Sequence, residues 1–153
     1  MQTIVIAVDD STGSRAVVQT FLDLFSCAHP ERVALLYVEK MEGKSLMDDM
    51  LGEPELSTLK EQLRGTEVQA ALDRKAKAIL DHYSQKLAAA GVSAVQTMVR
   101  EGHPSDEILK AAKELKAGMI IIGSRGNRLH TMLMGSVSRE IANRADIPVL
   151  IAR

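Results

Sequence analysis

The chain has one cysteine, Cys27, in 153 residues, so no internal disulfide can form. A lone thiol fits a reducing compartment. Cys27 is expected to pack at the end of the first helix, and no His, Lys or Cys pattern beside it points to a reactive thiolate. A basic surplus is also missing. Lys and Arg number 19 against 20 Asp and Glu, a net charge of −1, so nothing drives nucleic-acid or anionic-membrane binding. Arg125 and Arg128 are the best candidates for a local basic patch; two solvated loop arginines are the equally open alternative. No apolar run approaches the roughly 20 residues that a membrane helix needs. Met1-Gln2-Thr3 enters a strand without the basic and apolar segments of a secretory signal. A cytoplasmic chain is the expectation. No nucleophile–base pair or paired-carboxylate spacing stands out, and His82 has no second ligand at metal spacing, so neither a catalytic residue nor a metal site is expected.

What is present is an alternation of short apolar runs and helical patterns. Ile4-Val5-Ile6-Ala7-Val8, Val33-Ala34-Leu35-Leu36-Tyr37-Val38 and Met119-Ile120-Ile121-Ile122 are continuous apolar runs, the pattern of strands buried on both faces. Residues 93–100 and 148–152 complete five strands. A helix is expected over 14–25, with Val17, Val18, Phe21, Leu24 and Phe25 inward. A long one is expected over 66–90, carrying Val68, Leu72, Ala76, Ile79, Tyr83 and Leu87, with Gly91 as its stop. Pro104 opens a third, with Asp106 and Glu107 at its positive end and Ile108, Leu109, Ala112 and Leu115 inward. A fourth follows Gly135-Ser136, with Val137, Ile141 and Ala145 four apart. Residues 39–65 are polar with scattered Leu and Met, and one or two short helices are expected there. The whole, residues 1–153, is one α/β domain, doubly wound around a five-stranded parallel sheet.

The chemistry-bearing stretch starts at the third of those apolar runs. Gly123 and Gly126 follow the strand, then a loop, then Gly135-Ser136 at a helix start. Glycine lets the backbone approach an anion, and helix N-terminal amides point at it. A tight turn and an ordinary helix start explain the same residues. Asp9, at the end of the first strand, stands where doubly wound folds bind ligands; a helix cap or turn acceptor is its plain role. His103 precedes a helix, and His130 lies within the glycine loop, where its charged form could touch an anion.

Gly123-Ser124-Arg125-Gly126, Gly135-Ser136-Val137 and the closing Asp146-Ile147-Pro148-Val149-Leu150-Ile151 resemble the universal stress protein family. Its ATP-binding members carry Gly-x2-Gly-x9-Gly-Ser/Thr at this place. Here eight residues, 127–134, separate Gly126 from Gly135, where the family has nine. The resemblance implies a Rossmann-like, adenine nucleotide alpha hydrolase-like domain. It implies ATP, with Mg2+, held at Gly123, Arg125, Gly126, Gly135, Ser136 and Val137, with Asp9 at the ribose and the Val38 backbone at the base. Asp10 stands where many members have glycine, which brings a second carboxylate near any phosphate unless it points away or meets a cation. The resemblance further implies a homodimer paired through the last strand, stress-response signalling, and at most slow ATP hydrolysis. No lysine follows the glycine loop as in a P-loop NTPase. A dimeric adaptor of the same fold that binds no nucleotide is the alternative.

Overall fold

The computed structural model describes residues 3–28, 30–40, 67–124 and 134–153. The described elements run β1 (Thr3–Ala7), α1 (Thr12–Leu24), β2 (Arg32–Glu39), α2 (Glu67–Ala89), β3 (Val95–Glu101), α3 (Pro104–Glu114), β4 (Met119–Gly123), α4 (Ser136–Arg144) and β5 (Val149–Ala152). The five strands pair in the order β3-β2-β1-β4-β5, all in parallel. β1 is central because its run is apolar on both faces: Ile4, Val5 and Ile6 are all buried.

Alternation along the strands divides the core into two layers. Ile4 and Ile6 of β1, Val33, Leu35 and Tyr37 of β2, and Ile121 of β4 face one side. There they meet Val17, Val18 and Phe21 of α1 and Ala76, Leu80, Tyr83 and Leu87 of α2. Val5, Ala34, Leu36, Ile120 and Ile122 face the other side, against Ile108, Ala111 and Ala112 of α3 and Ile141 of α4. The doubly wound arrangement expected from the alternating pattern is therefore present.

Three local expectations are corrected. Leu24 and Val68 belong to the apolar stripes of α1 and α2, yet each is 61% exposed. Each lies in a terminal turn of its helix, beyond the stretch that packs on the sheet. Cys27, expected to pack, is exposed. It follows the end of α1 among bends, with Ser26 Oγ 3.7 Å from its sulfur. The short helices expected within 39–65 lie outside the described residues, apart from the end of β2.

Two helices end in the same way on different residues. α2 closes with Gly91 N–H donating to the Ala88 carbonyl and Val92 N–H to the Leu87 carbonyl, with Gly91 at φ +89°. α3 makes the same pair of bonds, from Lys116 to Lys113 at 3.1 Å and from Ala117 to Ala112 at 2.8 Å. Its left-handed residue, however, is Lys116 at φ +49°. A Cβ in that conformation costs roughly 1–2 kcal/mol, which glycine avoids. Lys116→Gly is expected to stabilise the fold by about 1 kcal/mol, raising Tm by about 2–4 °C. A lower Tm in thermal unfolding would contradict this.

Candidate functional site

The sheet order reverses direction between β1 and β4, so their carboxyl ends flank the fold's switch point. The register sets three segments abreast there. Ala7 pairs Leu36, so Asp9 and Val38 each lie two residues further on. Ile6 pairs Ile121, so Asp9 and Ser124 each lie three residues further on.

Asp9 organises the turn into α1. Its Oδ1 accepts from the Ser11 amide at 2.8 Å, from Ser14 Oγ at 2.8 Å and from Ser11 Oγ. Its own amide donates to Ser14 Oγ at 2.7 Å. This knot explains why α1 begins at Thr12 rather than at residue 14. Asp10 does meet a cation: Lys75 of α2 reaches its Oδ2 at 2.7 Å. A cleft of about 260 Å3 runs from Asp9, Asp10 and Arg15 to His82 and Tyr83 of α2.

Gly123 ends β4 against the first turn of α1. A Cβ there would stand 3.2 Å from the Gly13 carbonyl carbon and 3.3 Å from the Gly13 Cα. Backbone meets backbone at this point, so close strand–helix approach by itself favours glycine there. The next residue closes the loop. Ser124 N–H donates to the Ala152 carbonyl at 2.8 Å, and the Ser124 carbonyl accepts from the Gly135 amide at 2.7 Å. Ser138 Oγ lies 3.3 Å from the same carbonyl and 3.0 Å from the Gly135 carbonyl. The loop thus leaves and re-enters at one place. Gly135 then caps α4 without a side chain, leaving Ser136 exposed and Val137 half-buried in its first turn. Amides at such an end carry the positive pole of the helix dipole. Arg125, Gly126, Arg128 and His130 lie outside the described residues.

Val38 is half-buried against the α3–α4 layer. Its neighbour Glu39 is buried, at 4% exposure, on the opposite face. Glu39 Oε2 accepts from Gln69 Nε2 at 3.4 Å, while Oε1 has no hydrogen-bond partner among the described residues. Burial pushes this carboxyl above its ordinary range; the Gln69 amide opposes the shift, and the charges of Asp73 and Glu101 add to it. His103 belongs to a different group. Its Nδ1 lies 2.8 Å from Ser105 Oγ, which bonds Glu140 of α4, and 3.8 Å from a carboxylate oxygen of both Asp106 and Glu140. The buried Ser105 makes this a tie between α3 and α4.

Asp9, Val38, Gly123, Gly135, Ser136 and Val137 are therefore gathered at the carboxyl edge of the sheet. Ser14, Ser138 and Glu39 were not legible as parts of it. For Ser14 a hint existed, five residues after Asp9 in a loop dense in capping residues. Among the described residues no group of three or more His, Cys, Asp or Glu is placed to hold a metal ion.

A doubly wound parallel sheet whose β4 end is bonded to the start of α4 at the switch point is the architecture of an open α/β domain. The sequence pattern of the Universal stress protein family matches residues 1–153, and the chain belongs to that family. It is 38% identical over 88 residues to universal stress protein YxiE of Bacillus subtilis, covering 57% of this chain and 59%, less than two thirds, of YxiE. It is 27% identical over 133 residues to universal stress protein MJ0577 of Methanocaldococcus jannaschii, covering 84% of this chain and 81% of that one. The solved MJ0577 structure superposes with a TM-score of 0.77, at 25% identity, over 99% of this chain and 94% of that one. The universal stress protein from Archaeoglobus fulgidus in complex with dAMP shares the fold, with a TM-score of 0.61 at 19% identity, over 100% of this chain and 98% of that one.

Two outcomes follow from the geometry. Gly123→Ala is expected to destabilise the fold by about 1–2 kcal/mol, because the backbone of Gly13 must give way. Denaturant titration should show a lower midpoint at unchanged slope; an unchanged midpoint would contradict the close approach. Glu39 holds its proton more tightly in the folded state than in the unfolded state, whose ordinary value is 4.5. Stability from this group is therefore greatest below that pH and falls as pH rises through the folded-state value. Glu39→Gln is expected to raise Tm at pH 7, with the gain shrinking toward pH 4. An equal gain at both pH values would contradict the burial argument.

Proposed function

We propose that this chain binds an adenine nucleotide, ATP with Mg2+, at the β1/β4 switch point, and acts as a homodimeric stress-response or signalling protein in the cytoplasm. The observation that carries the reading is the 2.7 Å bond from the Gly135 amide to the Ser124 carbonyl. It brings a glycine-containing loop back to the end of β4 and starts α4 there, at an N-cap glycine with no side chain of its own to cap the turn. Such a helix end suits phosphate. Gly123, Arg125, Gly126, Gly135, Ser136 and Val137 would surround the phosphates, Asp9 the ribose and the Val38 backbone the adenine. Asp10, paired with Lys75, presents less repulsion to them. Mg2+ would be held chiefly by the phosphates, as is usual for this ion. The dAMP complex of the Archaeoglobus fulgidus protein supports an adenine nucleotide as the ligand class.

The two sheet edges support the dimer. β3 carries Gln96, Thr97, Arg100 and Glu101, a polar edge that discourages pairing. β5 is Val149-Leu150-Ile151-Ala152, with its first three residues only half-buried. An antiparallel β5–β5 pairing across a two-fold would cover it. Among the described residues no helix is long and apolar enough to cross a membrane. A dimeric adaptor without nucleotide is the second reading. It is favoured by Gly123, which packing on Gly13 explains without a ligand.

Isothermal titration of nucleotide-free protein with Mg-ATP is expected to give a micromolar Kd. Gly126→Val should weaken it at least about tenfold, because its side chain fills phosphate space, with the dimer mass unchanged by light scattering. Equal affinity in wild type and variant would overturn the site, and a monomer in both would overturn the β5 pairing.

A further inference from the structure

A second cavity among the described residues lies away from the switch point. A groove of about 510 Å3 runs between α3 and the segment joining α4 to β5. Its lining includes Lys116 and Ala117, just before β4, and Asp146 and Ile147, just before β5. These stand at the amino ends of the strands, opposite the edge that gathers Asp9 and Gly135. The groove has the size of a small-molecule site.

Its chemistry is two-sided. Leu109, Ala112, Ala117 and Ile147 supply an aliphatic lining over the buried Ile120. Lys110, Lys113 and Lys116 supply ammonium groups from α3 and its cap. Arg144 is neutralised by Asp106, 2.7 Å away. Lys110 has Glu114 one turn further along α3. Among the described residues Lys113 and Lys116 have no carboxylate partner, and Asp146 is the one remaining acid in the lining. The groove is thus apolar below and net cationic at its rim.

Lys116 adds a separate observation. It occupies the left-handed cap where α2, with identical bonds, has glycine. Lys116 thus sets its side chain at the groove in a backbone conformation that glycine would hold without strain.

We infer that this groove binds a small amphiphilic anion, an unbranched hydrocarbon chain ending in a carboxylate or phosphate monoester. The chain lies along Leu109, Ala112, Ala117 and Ile147, and the anionic head meets Lys113 and Lys116. A peptide helix, about 10–12 Å across, would fill this volume with roughly one turn, too little to anchor it. The inference is independent of nucleotide binding, since the two places lie at opposite ends of the strands.

The test uses the full chain saturated with Mg-ATP and titrated with decanoate below its micelle concentration, followed by amide NMR shifts. Decyl phosphate distinguishes the two head groups, and decyltrimethylammonium is the control of opposite charge. Saturable shifts at Leu109, Ala112, Ala117 and Ile147 are expected with either anion and not with the cation. Lys113→Glu with Lys116→Glu should weaken binding about tenfold with the rest of the spectrum unchanged. Lys116→Gly should weaken it less while raising Tm. The proposal is overturned by shifts that do not saturate, by equal binding of the cation, or by equal affinity in the charge-reversed protein. Shifts confined to the glycine loop or to β5 overturn it too, as does saturable binding of an acidic amphipathic peptide where decanoate and decyl phosphate fail.

Discussion

The carbonyl of Ser124 is the point on which the carboxyl edge of the sheet depends. It accepts the amide of Gly135 at 2.7 Å, with Ser138 Oγ 3.3 Å away. The Ser124 amide donates in turn to Ala152 of β5. The backbone N–H and C=O of one buried residue therefore tie β4, β5 and α4 together. Leaving such a group unpaired costs about 1–3 kcal/mol, so the three elements are held as a set. The site inherits its geometry from this tie. The loop between residues 124 and 135 can vary in length only if its two ends still meet, as they do here.

The two ends of the strands use contrasting physics. At the carboxyl end the two acidic groups of the β1 turn are satisfied locally, Asp9 by Ser11 and Ser14 and Asp10 by Lys75. At the amino end, among the described residues, Lys113 and Lys116 of the groove have no carboxylate partner. Two residues run against stability outright. Glu39 is buried with an oxygen that has no hydrogen-bond partner among the described residues, and Lys116 holds a left-handed backbone. Natural domains keep such residues where a ligand or a conformational demand outweighs the loss.

The fold was legible because its strands are apolar on both faces. Ile4-Val5-Ile6 and Met119-Ile120-Ile121-Ile122 need no alternation to be read as buried. Strand limits shifted by a residue or two, as terminal pairing depends on neighbours rather than on composition. Leu24 and Val68 misled because periodicity says which face a residue takes, not whether the sheet extends beneath it. The candidate site was legible in part. Asp9, Gly135 and Ser136 carry local signals, whereas the reason for Gly123 needs Gly13, 110 positions away in sequence. Ser138 and Glu39 act through partners that no local pattern names. The pairing of Asp10 with Lys75 was an open alternative that only packing of α2 could decide.

The most direct test is the nucleotide content of the protein itself. Protein purified without added nucleotide would be denatured and its released small molecules separated by chromatography, after extensive dialysis of a matched sample to empty the site. Adenine nucleotide in stoichiometric amount, or its uptake by the emptied sample when Mg-ATP is restored, is the result the account predicts. No released nucleotide and no uptake would mean that the switch point does not hold the nucleotide. The clasp at Ser124 would then serve the fold and the β5 edge alone.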